Sequence, residues 1–161
     1  MNVHFIDTSI LVNILDIPNM NSDRDRVLEE FNRLKESEID TLILPLATII
    51  ETGNHIAHIS NGSIRRTKGK RMGEMLKDMA NNRAPWTYYE KEIENEDLLY
   101  LAEKFPDMAM NKTGLGDLSI IAAYNKYKDS VPAIGRIRIW SLDSHLSSYE
   151  QQMTISKRRK R

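Results

Sequence analysis

Short apolar runs that give way to helical periods alternate along this chain, and the alternation constrains its fold more than any other feature. VHFI, rich in β-branched and aromatic residues and stopped at Asp7, reads as a buried strand, with a helix following through SILVNIL. Val27, Leu28, Phe31 and Leu34 fall at helical spacing in DRDRVLEEFNRLKESEI, which predicts an amphipathic helix. TLIL, ended by Pro45, is a second strand, and LATIIETGNHIAHI begins another helix. WTYY is a short strand, IENEDLLYLAEKF a helix, GLGDLSIIAAYNKY a helix apolar on nearly all sides, and IRIWSL the last strand. Strands alternating with helices imply βαβ crossovers. The expected fold is therefore α/β, with a central, mainly parallel sheet of four or five strands and helices on both faces.

A chain of 161 residues fits one domain and can bury a substantial core without staples. It has no cysteine, which excludes disulfides and thiolate metal sites, and a reducing compartment is the default. The first residues lack a basic leader and carry Asp7 and Asp16, so they read as mature protein. No apolar stretch approaches the roughly 18 residues that a membrane span requires. The expectation is a soluble, cytoplasmic protein without membrane contact. The formal net charge is zero, yet ten of the 23 basic residues lie in two clusters. One is Arg65, Arg66, Lys68, Lys70 and Arg71, and the other is Lys157, Arg158, Arg159, Lys160 and Arg161. The domain is expected to span residues 1–155. Within it, residues 61–85 read as an exposed basic excursion, in which Met72, Met75, Leu76 and Met79 restore a helical period. Residues 156–161 form a basic tail, expected to be disordered.

Four acids stand in apolar surroundings: Asp7, Glu51, Asp117 and Asp143. Desolvating a lone carboxylate is costly, so acids at the ends of apolar runs suggest a shared cation or a hydrogen-bonded site. Ligands of open α/β sheets gather at the carboxyl ends of the strands, and Asp7 and Asp143 each follow a predicted strand, which brings both to one edge. On the helix carrying Glu51, the residues Leu46, Ile49, Ile50, Gly53, Ile56 and Ala57 make the expected apolar stripe, with Glu51, Asn54, His55 and His58 beside it. Asp117 starts a buried helix near the same edge. Each acid also has a plainer explanation. Asp7 or Thr8 can cap the helix that follows, Asp117 can favour a helix N-terminus, Asp143 can be a turn or cap, and Glu51 can be an exposed helical residue. His55 is either a ligand or phosphate contact or a solvent-facing residue, and no role is assigned to His4, His58 or His145.

In order and setting, FIDTSILV with Asp7, IIETGNHI with Glu51, GLGDLSIIAAY with Asp117 and WSLDSHL with Asp143 resemble the four acidic motifs of PIN domain nucleases. The resemblance spans nearly the whole chain, and the size is similar to VapC-type toxins of toxin–antitoxin pairs. The basic excursion is longer than in a minimal toxin, and KRRKR lies outside the motif set. The resemblance implies a divalent-metal-dependent endoribonuclease with Asp7, Glu51, Asp117, Asp143, Thr8 and Ser9 as its catalytic set. Carboxylates suit Mg²⁺ or Mn²⁺, and Mg²⁺ takes few protein ligands, so Asp7 and Asp117 are assigned as direct ligands and Glu51 and Asp143 as ligands through water or at a second ion. Thr8 and Ser9 are expected to orient Asp7 or a metal-bound water, with Asn13 a weaker candidate. Arg65, Arg66, Lys68, Lys70 and Arg71 are expected to contact nucleic acid. The expected partners are RNA as substrate, a protein antitoxin and a second copy in a homodimer. A haloacid dehalogenase phosphatase would need an Asp where this chain has Ser9, and a DxSxS adhesion module a hydroxyl where it has Leu11. The remaining alternative is a non-catalytic PIN-like module that binds RNA or protein.

Overall fold

β1 (Asn2–Ile6) is buried from Val3 to Ile6, because its neighbours cover it on both edges and both faces. It pairs in parallel with β2 (Asp40–Ile43) on one side and with β4 (Arg136–Trp140) on the other. β3 (Trp86–Thr87) continues the parallel sheet beyond β2, and β5 (Glu150–Gln152) adds an antiparallel edge to β4, giving the order β3-β2-β1-β4-β5. The expected mainly parallel α/β sheet is present. Its last strand consists of three exposed polar residues and carries no apolar pattern to read. This computed structural model describes residues 1–132 and 134–152, so the basic tail and the expected domain end at residue 155 lie outside the described residues.

Period-two alternation sends β1 into two separate cores. Ile6 joins Trp140 under α1 (Thr8–Ile14) and α2 (Arg24–Lys35), against Ile10, Leu11, Val27, Phe31 and Leu34. Val3 and Phe5 join Ile137 and Ile139 under α6 (Leu115–Ser130), against Ile120, Ile121 and Tyr124. Helices thus cover both faces, as parallel sheets require. α3 (Leu46–Ala57) packs against α1 and α6, the two helices that flank the carboxyl end of β1. Among the described residues no helix is long and apolar enough to cross a membrane.

Two expectations about helices need correction. The segment after Ser60 is not an irregular excursion that regains a helical period at Met72. α4 (Gly62–Ala80) is helical from its start, because the Asn61 side chain accepts the Ile64 N–H at 3.0 Å and caps it. Its Met72, Met75 and Met79 are buried in the α1–α2 core, while its basic first half is exposed. On α3 the buried residues are Thr48, Thr52 and Ile56, whereas Leu46 and Ile50, expected in the stripe, are 45% and 54% exposed. The rotation follows from hydrogen bonding: Thr48 Oγ1 donates to the Ile6 carbonyl at 2.8 Å and turns the threonine face inward. The helix expected in IENEDLLYLAEKF is present as α5 (Asn95–Met110), which runs on through Pro106 and buries none of its residues.

His4, for which the sequence suggested no role, is the centre of a buried polar chain. Its Nε2 lies 2.7 Å from Asp40 Oδ1, and its Nδ1 accepts from Arg138 Nε at 2.7 Å. A guanidinium always donates, so Nδ1 is bare and Nε2 carries the proton towards Asp40. Burial pushes the His4 pKa below 6.5, with Arg138 adding to that push and Asp40 opposing it. Burial would raise Asp40, but hydrogen bonds from Ser37, His4 and Asn2 bring it down to about 2. Both groups take up protons more readily in the unfolded chain, so acidification favours unfolding. Stability present above pH 6.5 therefore falls as His4 is driven towards protonation, and it falls again between about pH 4 and 2 through Asp40. In ¹⁵N NMR at pH 7.5 the His4 imidazole is expected to show the neutral Nε2–H tautomer. An Nδ1–H tautomer or an imidazolium signal there would contradict the assignment.

Candidate active site

The carboxyl ends of β1 and β4 lie side by side, since Ile6 pairs with Trp140, and the chain turns into a helix after each. Asp7 is the N-cap of α1 and Asp143 the N-cap of α7 (Ser144–Ser147). Asp143 Oδ1 accepts the His145 and Leu146 N–H groups at 2.9 and 3.0 Å. The capping explanation is thus correct for both acids, and it does not exclude the other one. Asp7, Glu51, Asp117 and Asp143 line a single open cleft of about 430 Å³, together with Thr8, Ser9, Asn13 and His55. Capping occupies part of each carboxylate and fixes the direction of the rest.

Asp7 is 5% exposed, and its Oδ2 accepts from Ser9 Oγ and Ser141 Oγ, both at 2.8 Å, and from the Ser9 N–H at 3.3 Å. Ser141 also accepts the Asp143 N–H at 3.0 Å, so one hydroxyl ties the two strand ends together. Ser9 repeats the device by accepting the Leu142 N–H at 2.9 Å. Ser9 therefore orients Asp7, as expected. Thr8 does not: its Oγ1 donates to Glu51 Oε2 at 2.8 Å, because the first residue of α1 faces α3 across the cleft. Asn13 is structural, its amide spanning the Ser9 carbonyl and the Asp23 N–H.

Asp117, in the first turn of α6, has a pKa raised from 3.8 to about 6, first by burial and then by Asp7, Glu51 and Asp143. Asp7, Glu51 and Asp143 thus add electrostatic repulsion at Asp117 to the effect of its burial. Such repulsion is what a cation would relieve. Among the described residues, however, no three acid or histidine side chains stand together as a ready-made ion cage. The donor set fits Mg²⁺ or Mn²⁺: all four groups are carboxylates, Asp7 and Glu51 each keep one oxygen outside the hydrogen bonds above, and Mg²⁺ uses one or two carboxylates and several waters. His55 lines the cleft and is half-buried, rather than turned to solvent.

Ser141, bonded to Asp7, and Asp23, in the cleft wall, are further residues of the site. Ser141 could have been found as a hydroxyl two residues before Asp143, just past a strand. Asp23 enters the cleft wall with Met20 and Ser22 from the loop between α1 and α2, which carries no periodic signal. The basic cluster of α4 does not line the cleft. Arg65 donates to the Ile59 carbonyl at 2.9 Å and Lys68 lies 3.9 Å from Asp16, so both brace the helix. Ser63, Ile64, Thr67 and Lys68 share a groove with Asp16, Pro18 and Asn21 of the same loop, which sets α4 beside the cleft wall.

No protein-family model matches this sequence, and no curated protein matches it. Among solved structures, the chain is similar to one in the crystal structure of VapBC2 from Rickettsia felis bound to a DNA fragment from their promoter. The match covers 86% of this chain and 99% of that one, at 14% identity and a TM-score of 0.48.

Proposed function

We propose that this protein is a PIN-like, divalent-metal-dependent endoribonuclease, the cytoplasmic toxin of a toxin–antitoxin pair. The reading is carried by one observation: four carboxylates from distant parts of the sequence meet in one open cleft, where burial and then the other three acids raise the pKa of Asp117. Phosphodiester hydrolysis without a nucleophilic side chain needs activated water, a clamp on the phosphate and charge relief at the leaving oxygen, and Mg²⁺ or Mn²⁺ supplies all three when bound. Asp7 and Asp117 would hold it directly, with Glu51 and Asp143 acting through water. The residues around them have separable tasks. Ser9 and Ser141 keep Asp7 Oδ2 turned away so that Oδ1 remains available, and Thr8 does the same for Glu51. Val12 and Leu146 give the cleft an apolar lining.

The test is cleavage of structured RNA with Mg²⁺, with Mn²⁺ and with EDTA. Cleavage that requires the cation supports the proposal. RNA retained without metal and left intact would favour the non-catalytic binding module.

In this proposal Arg66, Lys70 and Arg71, exposed on α4, contribute long-range attraction for the RNA backbone, with Arg65 and Lys68 holding the helix in place. Such attraction weakens steeply with salt. Reversing the charge of Arg66, Lys70 and Arg71 is expected to weaken RNA binding by about tenfold or more at low salt and to flatten the salt dependence, while leaving the rate at saturating RNA unchanged. Unchanged affinity and slope would remove α4 from the interface.

A further inference from the structure

Glu51 is seated between two residues, Thr8 on one side and Gly116 on the other, and we propose that Gly116 is a positioning residue for the Glu51 carboxylate. α3 carries Glu51 over the first turn of α6, where Gly116 immediately precedes Asp117. A Cβ built on Gly116 would overlap Glu51 Oε1, and it would stand 3.3 Å from Cδ and 3.8 Å from Ala47 Cβ. The same addition at Gly53, Gly69, Gly73 or Gly114 meets nothing within 4 Å. Backbone conformation does not explain the glycine, because no glycine among the described residues has positive φ. Helical preference does not explain it either, since alanine favours a helix over glycine. What remains is space: a hydrogen atom at this position lets a carboxylate rest on the helix backbone.

The atom that a methyl group would displace is the end of a flexible side chain. Alanine at 116 therefore folds, and the chain relieves the overlap by swinging the Glu51 carboxylate out of its seat. The cost falls on the geometry of the site and not on stability. The effect of that displacement on cleavage rests on the nuclease reading, whereas the seat itself does not.

The experiment compares wild type, Gly116→Ala, Glu51→Asp, the double variant and Gly53→Ala, which makes the same change in open space on the helix that bears Glu51. Gly116→Ala is expected to melt at or above the wild-type temperature and to cleave about 10- to 100-fold more slowly, the scale of small misplacements in a catalytic site. Gly53→Ala is expected to cleave like wild type. Shortening Glu51 by one methylene vacates the contested space, so the double variant is expected to be less impaired than the product of the two single effects. Independent single effects, or wild-type cleavage by Gly116→Ala, would overturn the proposal. So would a crystal structure of Gly116→Ala with the Glu51 carboxylate unmoved. If the wild-type protein cleaves no RNA with either cation, the nuclease reading fails, and that crystal structure alone decides the seat.

Discussion

On the proposed reading, replacing Asp117 by asparagine is expected to abolish RNA cleavage and to raise the melting temperature of the metal-free protein. The two effects have one origin. Asp117 carries a charge that burial and three neighbouring acids disfavour, and its pKa of about 6 records that penalty against the ordinary 3.8. Asparagine removes the charge and keeps the shape. A shift of one unit corresponds to about 1.4 kcal/mol, and a partly exposed group retains less than that, so the gain is about 1–2 kcal/mol at neutral pH. For a chain of this length, that is roughly 3–6 °C in Tm. Because the folded pKa is raised, the stability linked to Asp117 is full below about pH 4 and disappears as pH rises through about 6. The difference between variant and wild type should therefore be small at pH 4 and largest above pH 7. If the cleft binds Mg²⁺ or Mn²⁺ as proposed, the cation is expected to raise the wild-type Tm and to leave the variant nearly unchanged, by mass action on a site that only the wild type retains. On the proposed reading, losing a direct ligand costs several kcal/mol of transition-state stabilisation, about a thousandfold or more in rate. A variant that cleaves at the wild-type rate, or whose metal-free form melts lower at pH 7.5, would contradict this account.

Asp7→Asn is expected to match that loss of cleavage while changing stability little, and Asp7→Ala separates the two roles that one side chain fills. Three donors converge on Asp7 Oδ2: both serine hydroxyls and the Ser9 N–H. An asparagine carbonyl accepts all three, so the cap survives and only the oxygen on the cleft side is exchanged for an amide. Alanine deletes the acceptor and leaves buried donors unmet, which costs about 1–3 kcal/mol, or roughly 2–10 °C here. Cleavage and melting curves for the two variants therefore follow different orders, both inactive but only one unstable. Loss of stability by Asp7→Asn equal to that of Asp7→Ala would make Asp7 a structural cap alone.

How far the site could be read beforehand differs from residue to residue. VHFI and IRIWSL are β-branched runs that stop near an acid, and the ends of β1 and β4 do lie side by side. The neighbour of Glu51 was not readable. The helical period of about 3.6 residues puts Leu46 and Ile50 inward, but a threonine hydroxyl bonded to the Ile6 carbonyl fixes the rotation of α3 and turns them out. For α4 the glycines at 62, 69 and 73 concealed a helix that an asparagine cap and buried methionines sustain.

Local chemistry already determined the strand–helix alternation, the apolar content of both cores and the four acids at apolar boundaries, because these depend on neighbours within one or two turns of chain. The partners of those acids were decided only in three dimensions. Thr8 holds Glu51 rather than its neighbour Asp7, Ser141 joins two strand ends, and the absence of a side chain at Gly116 leaves a carboxylate room to rest. The contacts of Thr8 with Glu51, Ser141 with Asp7 and Gly116 with Glu51 each span dozens of residues and depend on how elements distant in the chain are set against one another. Periodicity tells which face of an element is apolar, but hydrogen bonds and close packing across elements choose the angle at which that face is presented.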